Sequence, residues 1–499
     1  LIHEEDFIQS IADALQWISY THPSDFIHAM HQAYLREPSP AAQDAMAQIL
    51  ANSRLSALRQ RPICQDTGIV VAFLKIGMHV HWQTKQSLQA MVDEGVHRAY
   101  GSPTNVLRAS ILAEPAHSRR NTGDNTPAVV HVEMVAGDTV EVKIAAKGGG
   151  SENKSRFTVL NPSDSVEDWV VNTVAGLGAG WCPPGIVGIG MGGTAEKAML
   201  LAKESLLAPV DLADLQQRGA TTELEAMRLR LADRINALGI GAQGLGGVTT
   251  VLDVKILEYP THAASLPVAL CCNCAATRHA HFVLDGSGPA HFPPSASAPM
   301  PQVDWRPDPN SRRVNLDTLT PEQAWQWRAG EHLLLSGKLI TARDAAHRRL
   351  AEALQNRRSL PQGVDLTNRL IYYVGPVDPV AGEVIGPAGP TTATRMDKFT
   401  EVLFAHTGVL GMIGKAERGP AALESLRAYR GVYLVAVGGA AGLVSQTVRA
   451  CRVLAWPDLG MEAIHEFVVQ DMPVTVAVDS QGNNLHVQGP LAWQHRAES

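Results

Sequence analysis

Apolar residues recur at helical spacing near the start of the chain, where Phe7, Ile8, Ile11, Leu15 and Ile18 form one stripe. Residues 5–60 contain few strand signals, which predicts a helical lead-in. The pattern then changes period. Residues 69–80 are rich in β-branched and apolar types. Between 129 and 146 such residues alternate with polar ones around Gly137-Asp138, as in Val130-His-Val-Glu-Met-Val and Val140-Glu-Val-Lys-Ile, and both stretches read as strands. Helical patterns follow over 165–175, 194–207 and 222–238. Further on, strands are predicted at 314–317, 332–340 and 370–375, helices at 342–355 and 395–407, and a strand-rich end over 431–487.

The run Ser287-Gly-Pro-Ala-His-Phe-Pro-Pro-Ser-Ala-Ser-Ala-Pro-Met-Pro301 can continue neither kind of element, because proline removes donors and the small residues bury little area. It marks a linker over 287–312 between a domain at 1–286 and a smaller one at 313–499. The fold class expected is mixed α/β (α+β) in two domains. At 499 residues, 45% hydrophobic and 18% charged, the chain has ordinary globular composition. A net charge of -7 argues against a general nucleic-acid or anionic-membrane binder, so an anionic ligand must meet a local cluster of cations. With no long apolar run and no basic N-terminal region, the expectation is a soluble, cytoplasmic protein without a membrane segment.

Six cysteines are too sparse for a disulfide scaffold and suit a reducing compartment. Cys64 lies in Arg61-Pro-Ile-Cys-Gln-Asp-Thr-Gly68, Cys182 in Trp181-Cys-Pro-Pro-Gly185, and Cys274 in Cys272-Asn-Cys-Ala-Ala-Thr-Arg278. Taken singly, each is more often a buried packing residue than a ligand. Cys271, Cys272 and Cys274, with His279 and His281, also admit a zinc-stabilised scaffold, although no second paired-ligand motif completes a four-coordinate site. Two glycine segments, Lys147-Gly-Gly-Gly-Ser and Gly188-Ile-Gly-Met-Gly-Gly193, suit either anion contact or tight packing, and neither matches a nucleotide fingerprint cleanly. Gly386-Pro-Ala-Gly-Pro-Thr-Thr-Ala-Thr-Arg395 sets hydroxyls and an arginine at a helix start, where free amides favour a carboxylate. Arg343 stands at another helix start, and Lys415 on a small-residue loop.

Taken together, Cys-Gln-Asp-Thr-Gly, Asn121-Thr-Gly-Asp-Asn-Thr-Pro127, Lys-Gly-Gly-Gly-Ser, Cys-Pro-Pro, Gly239-Ile-Gly-Ala-Gln243, Gly-Pro-Thr-Thr and Gly-Lys, in that order, resemble the class I, iron-sulfur-dependent fumarate hydratases. That family is related to the two-subunit tartrate dehydratases. The resemblance implies a [4Fe-4S] cluster on Cys64, Cys182 and Cys274 whose remaining iron is open to substrate as a Lewis acid. It also implies an N-terminal cluster-binding domain and a C-terminal swivelling-type β/α domain. Arg108, Arg343, Arg395 and Lys415 would hold the carboxylates of a small dicarboxylate, with Gln65 and the Gly148 region adding hydrogen bonds and His262 a further contact. Thr391 would move the C3 proton, with Asp66 as its partner. A homodimer and reversible hydration of fumarate to malate are implied. Mesaconate hydration to citramalate is the alternative, tartrate dehydration a more remote one, and an iron-sulfur sensor the non-enzymatic reading. The Cys272-Asn-Cys-Ala-Ala-Thr-Arg segment and Leu107-Arg-Ala-Ser both depart from the forms associated with many two-domain members, which leaves the alkene open.

Overall fold

The computed structural model describes residues 1–294 and 300–494. Residues 295–299 of the expected linker therefore lie outside the described residues. Helices Glu4–Tyr20, Ser24–Arg36 and Pro40–Arg59 form the lead-in, and the apolar stripe of the first is buried throughout. Its acidic first turn, Glu4, Glu5 and Asp6, complements the helix dipole. The third begins at a Ser39 cap followed by Pro40, a residue pre-shaped for the first helical position.

Three larger sheets follow. The first has the order His279–Leu284, Val140–Lys147, Ile69–Gly77, Val129–Val135, with one face packed against helices Glu4–Tyr20 and Leu88–Tyr100. The second has the order Val251–Tyr259, Gly185–Gly192, Leu266–Asn273, Arg156–Leu160. Along its strand Gly185–Gly192, Val187 and Ile189 face helices Val166–Leu177 and Glu223–Asn236. Gly188 and Gly190 face helix Ala195–Ser205, so closely that a Cβ on Gly190 would stand 2.0 Å from the carbonyl oxygen of Ala198. Gly188 and Gly190 therefore serve helix packing, Gly192 meets the backbone of Tyr259 on the neighbouring strand, and the segment up to Gly192 is a strand rather than a phosphate loop.

The third sheet is built wholly from residues 312–478 and has seven strands. Strand His332–Thr341 pairs with Arg312–Asn315 and Leu370–Tyr372, and also antiparallel with Ile464–Val478. Through Gly411–Gly414 and Val432–Val435 the ladder thus returns to its start and encloses a core that includes Leu335, Tyr372, Ile413 and Val476. The strand expectation over 431–487 fails at its last three positions, where helix Leu485–Trp493 begins. The helix leaves this sheet and seats on the first half of the chain. A Cβ on Gly246 would lie 2.5 Å from the backbone of Gly489, and one on Gly239 would lie 2.6 Å from the Gln494 nitrogen.

Packing is continuous between the halves. Phe26, Met46 and Ile49 of the lead-in belong to the same apolar cluster as Ile340, Ile371 and Tyr373. Among the described residues no helix is long and apolar enough to cross a membrane.

Candidate active site

Cys64, Gln65 and Asp66 occupy the loop between helix Pro40–Arg59 and strand Ile69–Gly77. That loop is fixed from beneath by the fully buried Asn52. The Asn52 Nδ2 donates to the carbonyls of Ile63 and Gly439, each at 3.0 Å, and its Oδ1 accepts from the Leu443 nitrogen. Cys182 is held in a left-handed backbone conformation with φ of 58° immediately before strand Gly185–Gly192. The Ala275 nitrogen donates to its carbonyl at 3.0 Å, so the second and third cysteine segments are joined directly. Gln243 supplies another tie: its Nε2 donates to the Pro183 carbonyl and its Oε1 accepts from the Gly438 nitrogen at 2.8 Å. Gly438 lies against the thiol itself, since a Cβ there would stand 2.7 Å from Cys182 Sγ.

The neighbours of the third cysteine behave differently from it. Cys271 and Cys272 are fully buried on strand Leu266–Asn273, in different apolar clusters, and the Ser155 hydroxyl donates to Cys271. Cys274 leaves the strand and is only half-buried. Burial pushes the Cys64 thiol up, and it pushes Cys182 up to about 11, while the Lys415 ammonium opposes the rise at both. Cys274 raises both further by like charge, and it packs against the small apolar cluster that contains Cys64. Burial works against the Lys415 charge, but Cys182 and Cys64 hold its affinity for the proton above the ordinary lysine value, and it hydrogen-bonds Cys182.

Among the described residues no group of three or more His, Cys, Asp or Glu side chains is arranged to hold a single metal ion. Three mutually close thiols backed by a lysine suit a different kind of group, one that takes a single thiolate on each of several irons. The donor chemistry and the glycine cradle at Cys182 fit such a cluster, and loading it would displace thiol protons.

Beside the thiols lies a cavity of about 310 Å³. Gln65, Asp66, Arg108, Arg343, Thr391, Arg395 and Lys415 all line it, so residues far apart in sequence converge there. Burial alone would raise the Asp66 carboxyl, yet the Arg108 and Arg278 guanidiniums and the Gly149 amide, 2.8 Å from Oδ2, hold it down to about 2. It is ionised at neutral pH. Arg108 donates to the Gly375 carbonyl at 2.5 Å, and its proton affinity is lowered to about 10 by burial and by Arg343. Arg343 and Arg395 both approach Asp344, each at 3.4 Å. Gln65 donates to the Pro390 carbonyl at 3.2 Å. The preceding Gly389 leaves room for that approach, because a Cβ there would meet the Gln65 amide oxygen. Thr391 is buried, its nitrogen donating to the Tyr373 carbonyl and its own carbonyl accepting from the Lys415 nitrogen.

Two sequence expectations are modified. Gly148 backs Arg278 and Asp66, while Gly149 and Gly150 line the cavity. His262 sits exposed in the turn after strand Val251–Tyr259, in a separate surface hollow with Lys197 and Tyr259, and the chain does not bring it to the cavity. Sequence reasoning also missed contributors. Asn153, Lys154 and Arg156 follow the glycine run and line the cavity, as do Thr392 and Thr394. Arg278 donates to the Asp66 carbonyl at 2.5 Å. Its signal was present, a lone arginine four residues after Cys274, in a segment whose cysteines draw attention to metal ligands alone.

A buried thiol set beside a cation-lined cavity agrees with what family comparison gives. A model described as Fumarate hydratase (Fumerase) matches residues 8–283, and one described as Fumarase C-terminus matches residues 286–489. The reaction class is that of a hydro-lyase. The chain belongs to the class I fumarate hydratase family. It is 31% identical over 476 residues to "Fumarate hydratase class I, anaerobic" of Escherichia coli (strain K12), covering 91% of this chain and 85% of that one. It is 30% identical over 509 residues to "Fumarate hydratase 2" of Leishmania major, covering 95% and 86%. A Methanocaldococcus jannaschii protein with the provisional name L(+)-tartrate dehydratase subunit alpha is 37% identical over 265 residues, which is 52% of this chain and 90% of its own.

Proposed function

We propose that this protein reversibly hydrates fumarate to malate, with a [4Fe-4S] cluster held by Cys64, Cys182 and Cys274. The observation that carries the reading is the cavity lining, which among the described residues has six cationic side chains, one carboxylate and no apolar side chain. Such a lining neutralises a small dianion and gives an added methyl group nothing to bury against. Fumarate is therefore favoured over mesaconate as substrate.

When bound, the cluster would supply Lewis acidity toward the hydroxyl that is added or lost. The chain's own residues do the rest. Arg108, Arg343 and Arg395 bind and orient the carboxylates, and Gln65 fixes the end of the substrate nearest Cys64. Thr391 moves the C3 proton through Oγ, its hydroxyl made more acidic by the surrounding cations. Asp66 remains an anion and keeps Arg108 in place. The two domains, 1–286 and 313–499, would meet at this cavity, and a homodimer and a cytoplasmic location accompany the reading.

The test is an anaerobic comparison of kcat/KM for fumarate, mesaconate and tartrate on reconstituted enzyme. Fumarate should exceed mesaconate by about tenfold or more, the worth of a misplaced methyl group. Equal or better turnover of mesaconate would transfer the assignment to that alkene.

A further inference from the structure

The inner cavity opens into a larger one of about 850 Å³, with which it shares Asp66, Arg108, Gly149, Asn153, Arg343 and Arg395. This outer space is far too roomy to grip a four-carbon diacid. Its walls come from both halves of the chain: residues 110–121 on one side, and helices Asp344–Gln355 and Asp397–Thr407 with residues 459–462 on the other.

The charges on these walls are unequally engaged. Every acid on them is already occupied: Asp66 by Arg108 and the Gly149 amide, Glu152 by Lys203, Asp344 by Arg343 and Arg395, and Glu462 by Arg343 and the Ala345 amide. The cations nearest solvent are not so engaged. Arg119, Arg348 and Lys398 are exposed, and among the described residues none of them forms an ion pair with an acid. Arg119 donates only to the Pro115 carbonyl, and Lys398 rests over the Phe399 ring. A chain whose net charge is -7 thus presents an excess of uncompensated positive charge at the mouth that leads to its clamp.

We propose that the outer cavity is an electrostatic funnel in which Arg348 and Lys398, facing Arg119, collect dicarboxylate anions and pass them to the inner clamp. Long-range attraction of this kind raises the rate of encounter without touching the reacting atoms. It matters here because the rest of the protein repels the substrate. The inference rests on the dicarboxylate reading of the inner cavity, and it assigns a role to residues outside that cavity.

The experiment uses reconstituted holoenzyme and compares wild type with the Arg348→Gln/Lys398→Gln double variant and with Arg119→Gln. At low ionic strength kcat/KM for fumarate should fall about tenfold in the double variant and about threefold in Arg119→Gln. In both, kcat and the cluster absorbance should stay at wild-type values. The differences should vanish near 1 M salt, where the screening length is about 3 Å. Unchanged kcat/KM at low salt, or a loss that persists at high salt, would overturn the funnel. Wild-type turnover in the same assay tests the substrate reading separately. Should wild type not turn fumarate over, the salt-dependent affinity for succinate, measured by calorimetry on the same proteins, decides the funnel by the same ratio.

Discussion

Thr391 shows how a weak acid is placed where its proton can matter. Its backbone is bonded on both sides, to Tyr373 and to the Lys415 nitrogen, so the position is fixed without help from the side chain. Thr391→Ala should accordingly leave the fold and the cluster spectrum intact while lowering kcat by about 10²–10⁴, the usual worth of general acid–base catalysis. Single-turnover kinetics with absorbance of the reconstituted cluster would check this, and a near wild-type kcat would remove Thr391 from the role of base. Most residues converging on the cavity were legible through the resemblance that the ordered motifs carry to the class I fumarate hydratases, since singly Gln65, Asp66, Thr391 and Arg395 read as loop or surface positions. Arg278 was not legible as a site residue. Its part is to bind a backbone carbonyl and bias Asp66, and nothing in local spacing announces a partner more than two hundred positions earlier in the chain.

Among the elements, the sequence pattern recovered the amphipathic ones and the buried strands Ile69–Gly77, His332–Thr341 and Leu370–Tyr372, but not the buried strands of the second sheet. Helices Glu4–Tyr20, Glu223–Asn236 and Asp344–Gln355, and strands Val129–Val135 and Val140–Lys147, lie close to where their patterns put them. The second sheet was missed almost entirely. Gly185–Gly192 is covered by helices on both faces, so it shows no alternation, and half its positions are glycine. Leu266–Asn273 is a near-continuous apolar run for the same reason. The glycines report a distance that no propensity scale contains. In Gly190→Ala the new methyl group would meet both the Ala198 carbonyl and the Ala202 nitrogen, 2.0 and 2.5 Å away, which are rigid helix backbone. Helix Ala195–Ser205 must then move off the sheet, and stability should fall by about 2–3 kcal/mol, read as a lower urea midpoint with an unchanged slope. A midpoint within error of wild type would mean that the helix slides at little cost.

For the molecule as a whole, part of the acid sensitivity follows from His279 in the first half and His347 in the second, and the fully buried His22 is lowered to about 4 in the same way. Burial lowers His347 to about 4, with the Arg343 carbonyl, 2.9 Å from Nδ1, opposing the shift, and burial lowers His279 to about 4. Both are neutral in the folded protein at pH 5–6, where the unfolded chain, with histidines near 6.5, has taken up protons. Their contribution to stability is therefore complete above about pH 6.5 and is lost as pH falls toward 4, by up to about 3 kcal/mol each. In His347→Gln the proton uptake on urea unfolding at pH 5.5 should drop by about one, and an unchanged uptake would contradict the assignment. How the halves are held was invisible in sequence, because the ties are ordinary amides such as Asn52 and Gln243 and a closing helix most of which lies past the last element expected. That helix, Leu485–Trp493, ends the second half yet rests on the backbone of the first. A version of this protein made as two separate polypeptides would consequently carry its own docking handle at the tail of the second one. Its assembly would draw on the bare backbones at Gly239, Gly246 and Gly489 together with the apolar cluster that the two halves share.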